Sequence, residues 1–183
     1  MKSRNSKTGE RPLDRLFIDQ LADMHSAEKQ LARALPLIAK AAHSEDLKAL
    51  LAAHQEETKG HAETIEEIAD NLEVKLPRKT CHAMSGLIKE GVMILAENIK
   101  SSALDTGLIA AGLKIEHYEI ASYGTLCRWA KELGYKHELA QLISILNQEK
   151  LAETLLSRML RGAGGLKKLV QKVSLEKALE VHH

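Results

Sequence analysis

Four long amphipathic stretches run through the chain, and each carries glutamate inside a stripe that should be wholly apolar. The first stripe reads Phe17, Leu21, Met24, Glu28, Leu31, Leu35, Ile38. The second reads Leu47, Leu50, His54, Glu57, His61, Thr64, Ile68. The third is Ile109, Leu113, Glu116, Ile120, Tyr123, Cys127, and the fourth Leu139, Leu142, Leu146, Glu149, Glu153, Leu156, Leu160. Steps of three and four mark one face of an α-helix. An ionised carboxylate in a dry core is costly unless it is paired. One interruption could be an accident of register. An interruption in every stripe points to a shared site that needs positive charge, and a metal is the usual supply in a helical bundle.

The composition agrees with helices. Aromatic residues make up only 3% of the 183 residues, which disfavours sheet, and three prolines leave long uninterrupted runs. The length suits one domain with a real core. A net charge of +1 gives no reason to expect nucleic acid or an anionic membrane as partner. No apolar run is long enough to span a bilayer. The polar start, MKSRNSKTGERPLDRL, lacks the apolar core of a secretion signal. Cys81 and Cys127 stand far apart and read as inert buried thiols in a reduced, cytoplasmic setting.

The boundaries follow from caps and breakers. Residues 1–11 read as a disordered basic tail, solvated rather than DNA-binding, and residues 12–162 as the bundle. A first helix is expected from about Leu13 to Ala42, with Pro36 as a place for a kink or break. Ser44, followed by Glu45 and Asp46, starts a second helix that runs to about Val74, and Pro77 ends it. An extra amphipathic piece covers Thr80 to Asn98. Ser101 or Ser102 caps the third bundle helix, which Gly134 closes, and a fourth spans about His137 to Arg161. Residues 163–183 form a C-terminal tail with a weak amphipathic repeat at Leu166, Leu169, Val170 and Val173. His182 and His183 are set aside as part of a possible tag. Two short turns make two antiparallel hairpins, and the long connection between them holds the extra helix.

That topology tests the site. A turn near Ser44 sets Glu28 and Glu57 at about one height, because both helices rise equally per residue. A turn near Gly134 does the same for Glu116 with Glu153 and for Glu119 with Glu149. The expected metal ligands are Glu28, Glu57, His61, Glu116, Glu119, Glu149 and Glu153. His25 and His54 read as supporting hydrogen-bond partners, His117 as a surface group and Tyr123 as a packed tyrosine. The donors are mostly hard oxygen, which suits iron, manganese, magnesium or calcium better than structural zinc.

The stretches HSAEKQL (25–31), HQEETKGH (54–61), CHAMSGLIKE (81–90) and KIEHYEIASYGTL (114–126) resemble those of the YciE/YciF-type ferritin-like stress proteins, as does EKLAE (149–153) more loosely. The likeness runs through roughly residues 12–162, and KIEHYEIASYGTL is its most specific piece. It implies an all-α, ferritin-like four-helix bundle with an extra crossover helix, commonly a homodimer, in a bacterial stress response. It also implies a di-iron or ferroxidase-type centre, with two irons per chain; the mostly carboxylate donors of this chain leave room for manganese instead. The chain departs from the usual Glu-x-x-His spacing of such centres. Gly60 stands three residues after Glu57, and Ala152 three after Glu149.

Two functions follow. In the first, a dinuclear iron or manganese centre oxidises Fe(II) with dioxygen or consumes peroxide. In the second, the chain is a non-enzymatic structural or interaction protein whose metal site is vestigial or passively occupied.

Overall fold

In the computed structural model, residues 11–97 and 102–162 are described. The expectations for residues 1–10 and 163–183, and the Ser101 cap, lie outside them. The described residues form five helices: α1 Pro12–Ala41, α2 Glu45–Asn71, α3 His82–Ala96, α4 Ser102–Leu133 and α5 Lys136–Leu160. α1 pairs with α2, and α4 with α5. The two hairpins then pack together, α1 on α4 and α2 on α5, while α3 lies against α1 and α4. This is the expected all-α bundle with its crossover helix.

Local chemistry sets each boundary. Pro12 opens α1, where its missing N–H costs nothing. Arg11, assigned to the tail from sequence, closes the first turn: its backbone N–H and its guanidinium both donate to Asp14. The Ser44 hydroxyl accepts from Leu47 N–H at the start of α2. Asp105 of α4 accepts from the backbone N–H groups of His43 and Ser44 at 2.7 and 2.8 Å, which ties the α1–α2 turn to the second hairpin. Gly134 has φ +83, so it turns the chain between α4 and α5 where a side chain would be strained.

Pro36 neither breaks nor ends α1. Its missing N–H would leave the carbonyl of Ala32 without a helical donor. Gln55 of α2 supplies one, donating from Nε2 to that carbonyl at 3.1 Å.

The first stripe is buried as read, from Phe17 to Ile38. The third and fourth drift. α4 buries Leu108, Ala111, Ile115, Glu119, Leu126 and Ala130, whereas Leu113, Ile120 and Cys127 are only half-buried. On α5, Leu160 is exposed. A straight α-helix rotates by about 20° per heptad away from a 3.5-residue repeat, so a heptad stripe leaves the core on a helix this long.

Candidate metal centre

The bundle brings six ionisable side chains from four helices together at mid-height: Glu28 from α1, His54 and His61 from α2, Glu116 and Glu119 from α4, and Glu149 from α5. Donor atoms of His54, Glu116, Glu119 and Glu149 lie within 4.8 Å of one another, and those of Glu28, His61 and Glu149 do the same. Glu149 belongs to both groups, the place of a ligand shared between two cations. All six side chains are buried.

Their mutual contacts are ionic rather than hydrogen-bonded. His61 Nδ1 lies 2.9 Å from Glu149 and 3.6 Å from Glu28, and His54 Nε2 lies 3.2 Å from Glu116. None of these contacts has hydrogen-bond geometry. Both oxygens of Glu119 and of Glu149, one of Glu28 and one of Glu116, both nitrogens of His54 and Nδ1 of His61 lack a hydrogen-bond partner. Among the described residues, the one other buried side-chain polar atom in that condition is Gln141 Oε1. Buried polar groups are nearly always bonded, so this concentration fits a donor set built for cations.

Two outer groups orient the donors. The Tyr123 hydroxyl donates to Glu28 Oε1, which leaves the other oxygen facing His61. His61 Nε2 is 2.6 Å from Gln148 Oε1, so Nδ1 is the nitrogen turned inward. The electrostatics follow the crowding. Burial, then the charges of Glu149, Glu28 and Glu116, push the Glu119 carboxyl well above its ordinary pKa. Burial raises Glu28 too, against the pull of His61. Glu116 is pushed up to about 8, chiefly by burial, with His54 opposing. Burial disfavours charge on the two imidazoles, but the carboxylates outweigh it. His54 rises to about 9, mainly through Glu116, and His61 to about 11 through Glu149 and Glu28. The upward shifts set protons and cations in competition for these donors, so cation binding would release protons.

Of the seven ligands expected from sequence, Glu28, His61, Glu116, Glu119 and Glu149 converge. Glu57 and Glu153 do not. Glu57 is 27% exposed on the flank of α2, 3.7 Å from the outer nitrogen of His54. Glu153 is half-buried and accepts a hydrogen bond from Ser157. His54, given a supporting role from sequence, stands among the donors instead. The reason is angular: at 100° per residue, the buried face of α2 centres near Leu47 and Ile65, with His54 and His61 within about 40° of that line and Glu57 about 80° away. Two histidines seven residues apart in one stripe were the available signal. His25 lies away from the centre, 2.6 Å from Glu66. Tyr123 was read as packing alone, and nothing in the stripe reports that its hydroxyl reaches Glu28.

A family described as a domain of unknown function, DUF892, matches residues 12–171. The chain belongs to the DUF892 family. It is 42% identical over 142 residues to protein YciF of Escherichia coli K12, spanning 77% of this chain and 86% of that protein. The crystal structure of the E. coli stress protein YciF superposes with a TM-score of 0.81 at 40% identity, covering 84% of this chain and 97% of that one. YcfI of Rhodopseudomonas palustris gives 0.77 at 36% identity, covering 86% and 98%. A Xanthomonas campestris protein, 19% identical over 89% of this chain and 97% of that one, shares the fold at a TM-score of 0.65. The DUF892 relationship bears out the resemblance carried by HSAEKQL and KIEHYEIASYGTL, and with it the ferritin-like fold. Among the described residues, no helix is long and apolar enough to cross a membrane.

Proposed function

We propose that this chain holds a dinuclear iron or manganese centre between its two hairpins and uses it for redox chemistry on small oxidants, as a ferroxidase or a peroxide-consuming protein. The observation that carries the proposal is the cluster of buried donors without hydrogen-bond partners, arranged as two groups that share Glu149. Four carboxylates match the charge of two divalent cations, and two imidazoles complete the donor set. The usual di-iron inventory in a bundle is also four glutamates and two histidines. Here both imidazoles come from α2, and α4 supplies two carboxylates. Bound there, a pair of redox-active cations supplies two electrons, enough to reduce dioxygen to hydrogen peroxide, or hydrogen peroxide to water, as two protons are taken up.

The chain's own groups do the rest. Glu28, Glu116, Glu119 and Glu149 would hold the cations in a site buried from water. Tyr123 stays protonated, since burial and the nearby carboxylates hold its phenol well above its ordinary pKa, and it fixes Glu28. A homodimer in the bacterial cytoplasm, within a stress response, belongs to the same reading; YciF of E. coli is itself called a stress protein.

Elemental analysis of protein purified without chelators tests the centre. The expected result is about two iron or manganese atoms per chain, falling below about one in Glu149→Gln and unchanged in Glu57→Gln. No bound metal after anaerobic Fe(II) loading would overturn the proposal and leave the non-enzymatic reading.

A further inference from the structure

A narrow apolar cavity of about 30 Å³ runs along the core from the candidate centre, between the crossover helix and the bundle. His54 and Glu116 line its inner end. Leu35, Leu51, Ile115 and Leu156 form walls, and Leu87 and Ile88 of α3 close the outer side, both only half-buried. Small residues make the room. A Cβ on Gly112 would stand 3.1 Å from Leu156 Cδ1, tighter than ordinary contact, and α3 crosses α4 closely at Gly91, whose missing Cβ would meet Ala111 at 3.6 Å.

We infer that this cavity is a binding pocket for a small apolar molecule of dioxygen size, held next to His54 and Glu116. The inference rests on the proposed metal centre for its purpose, though not for its test. The volume exceeds the roughly 10–15 Å³ that one water needs and is far below that of a drug-sized ligand. A water also needs two to four polar partners, and the walls beyond His54 and Glu116 offer none. Along the apolar walls hydrogen peroxide would give up its hydrogen bonds to water without replacing them, and each polar group left unpaired is costly. Dioxygen has none to give up. The opposite side of the centre is different in kind. There Glu56, Glu57, Gly60, His61, Gln141 and Gln148 line an open surface concavity between α2 and α5. The pocket thus selects dioxygen over peroxide on the α3 side, and it gives the crossover helix a function that a plain four-helix bundle lacks.

Xenon probes the pocket without any metal. In the metal-free protein under xenon pressure, methyl resonances of Leu35, Leu51, Ile115 and Leu156 should shift saturably. The shifts should vanish in Leu87→Trp, which fills the cavity, and grow in Leu51→Ala, which enlarges it. Absence of saturable shifts in the unsubstituted protein overturns the pocket, and if Leu87→Trp fails to fold, the unsubstituted protein and Leu51→Ala decide. With iron bound, Leu87→Trp should slow Fe(II) oxidation by dioxygen about tenfold and oxidation by hydrogen peroxide by less than about twofold. Equal slowing of both overturns the selectivity. If neither oxidant turns over, the metal-centre reading fails and the xenon titration alone decides the pocket.

Discussion

Asp14 and Glu119 are both fully buried carboxylates, yet one fastens the fold and the other strains it. Asp14 sits at the open end of α1. It accepts from the backbone and guanidinium of Arg11 at 2.9–3.0 Å and from the Tyr135 hydroxyl at 2.6 Å, so the start of α1 is tied to the α4–α5 turn, 121 residues further along. Glu119 sits at the centre of the bundle with neither oxygen hydrogen-bonded, facing three other carboxylates. The difference shows in their acidities. Burial would raise Asp14, but the hydrogen bonds from Arg11 and Tyr135 more than offset it and hold the carboxyl below its ordinary value. Glu119 is driven the other way. Burial of a carboxylate therefore does not identify a site. Burial without partners does, because folding alone gives no reason to keep such a group.

The largest effect that can break this contrast is cation binding. A ligand that binds only the folded state adds about 4 kcal/mol of stability at a thousand times its Kd. Melting with added Mn(II) or anaerobic Fe(II) should show a gain of that order in the unsubstituted protein and in Asp14→Ala alike. Glu149→Gln should lose most of it. An equal gain in Glu149→Gln would mean that the cations bind elsewhere.

Next in size is the sign of substitution in chelator-treated protein. Asp14→Ala leaves the Tyr135 hydroxyl and Arg11 donors without their acceptor and should cost about 1–3 kcal/mol. Glu119→Met removes a buried carboxyl that no hydrogen bond satisfies and should raise stability by about 1–3 kcal/mol. Denaturant midpoints measure both. Destabilisation by Glu119→Met of the same size as Asp14→Ala would show that the central carboxylates serve packing and not cations.

Much of this was legible in the residues. Helices, hairpins and the crossover piece follow from periodicity, Ser44, Gly134 and the spacing between them; Glu28, His61, Glu116 and Glu149 stand as breaks in apolar stripes, and Glu119 follows from its level match with Glu149 across the Gly134 turn. Glu57 and Glu153 were included because a stripe read in heptads is wider and straighter than the face a real α-helix buries. The same heptad stripe sets Glu57 level with Glu28 and leaves His54, three residues earlier, as a supporting group, although His54 lies nearer the middle of the buried face. Three features needed coordinates, because each depends on long-range contacts. They are the Gln55 donor that lets α1 pass through Pro36, the Tyr123 bond to Glu28, and the cavity under α3. Asp14 was invisible as a buried group, since its partner Tyr135 lies on the far side of the bundle sequence.

The smallest expected effect sharpens the contrast through pH. Because the folded-state pKa of Asp14 is depressed, its contribution is present above its unfolded value near 3.8 and is lost as pH falls through the lower folded value. Below that window the carboxyl is protonated in both states and adds nothing. The stability difference between the unsubstituted protein and Asp14→Asn should therefore hold constant from neutral pH down to about 5 and shrink on further acidification. Urea midpoints at a series of pH values in chelator-containing buffer measure it. A difference that persists unchanged to the lowest pH would make the side chain's shape, rather than its charge, the fastening. Asp14 would then no longer serve as the satisfied counterpart against which the central glutamates are judged.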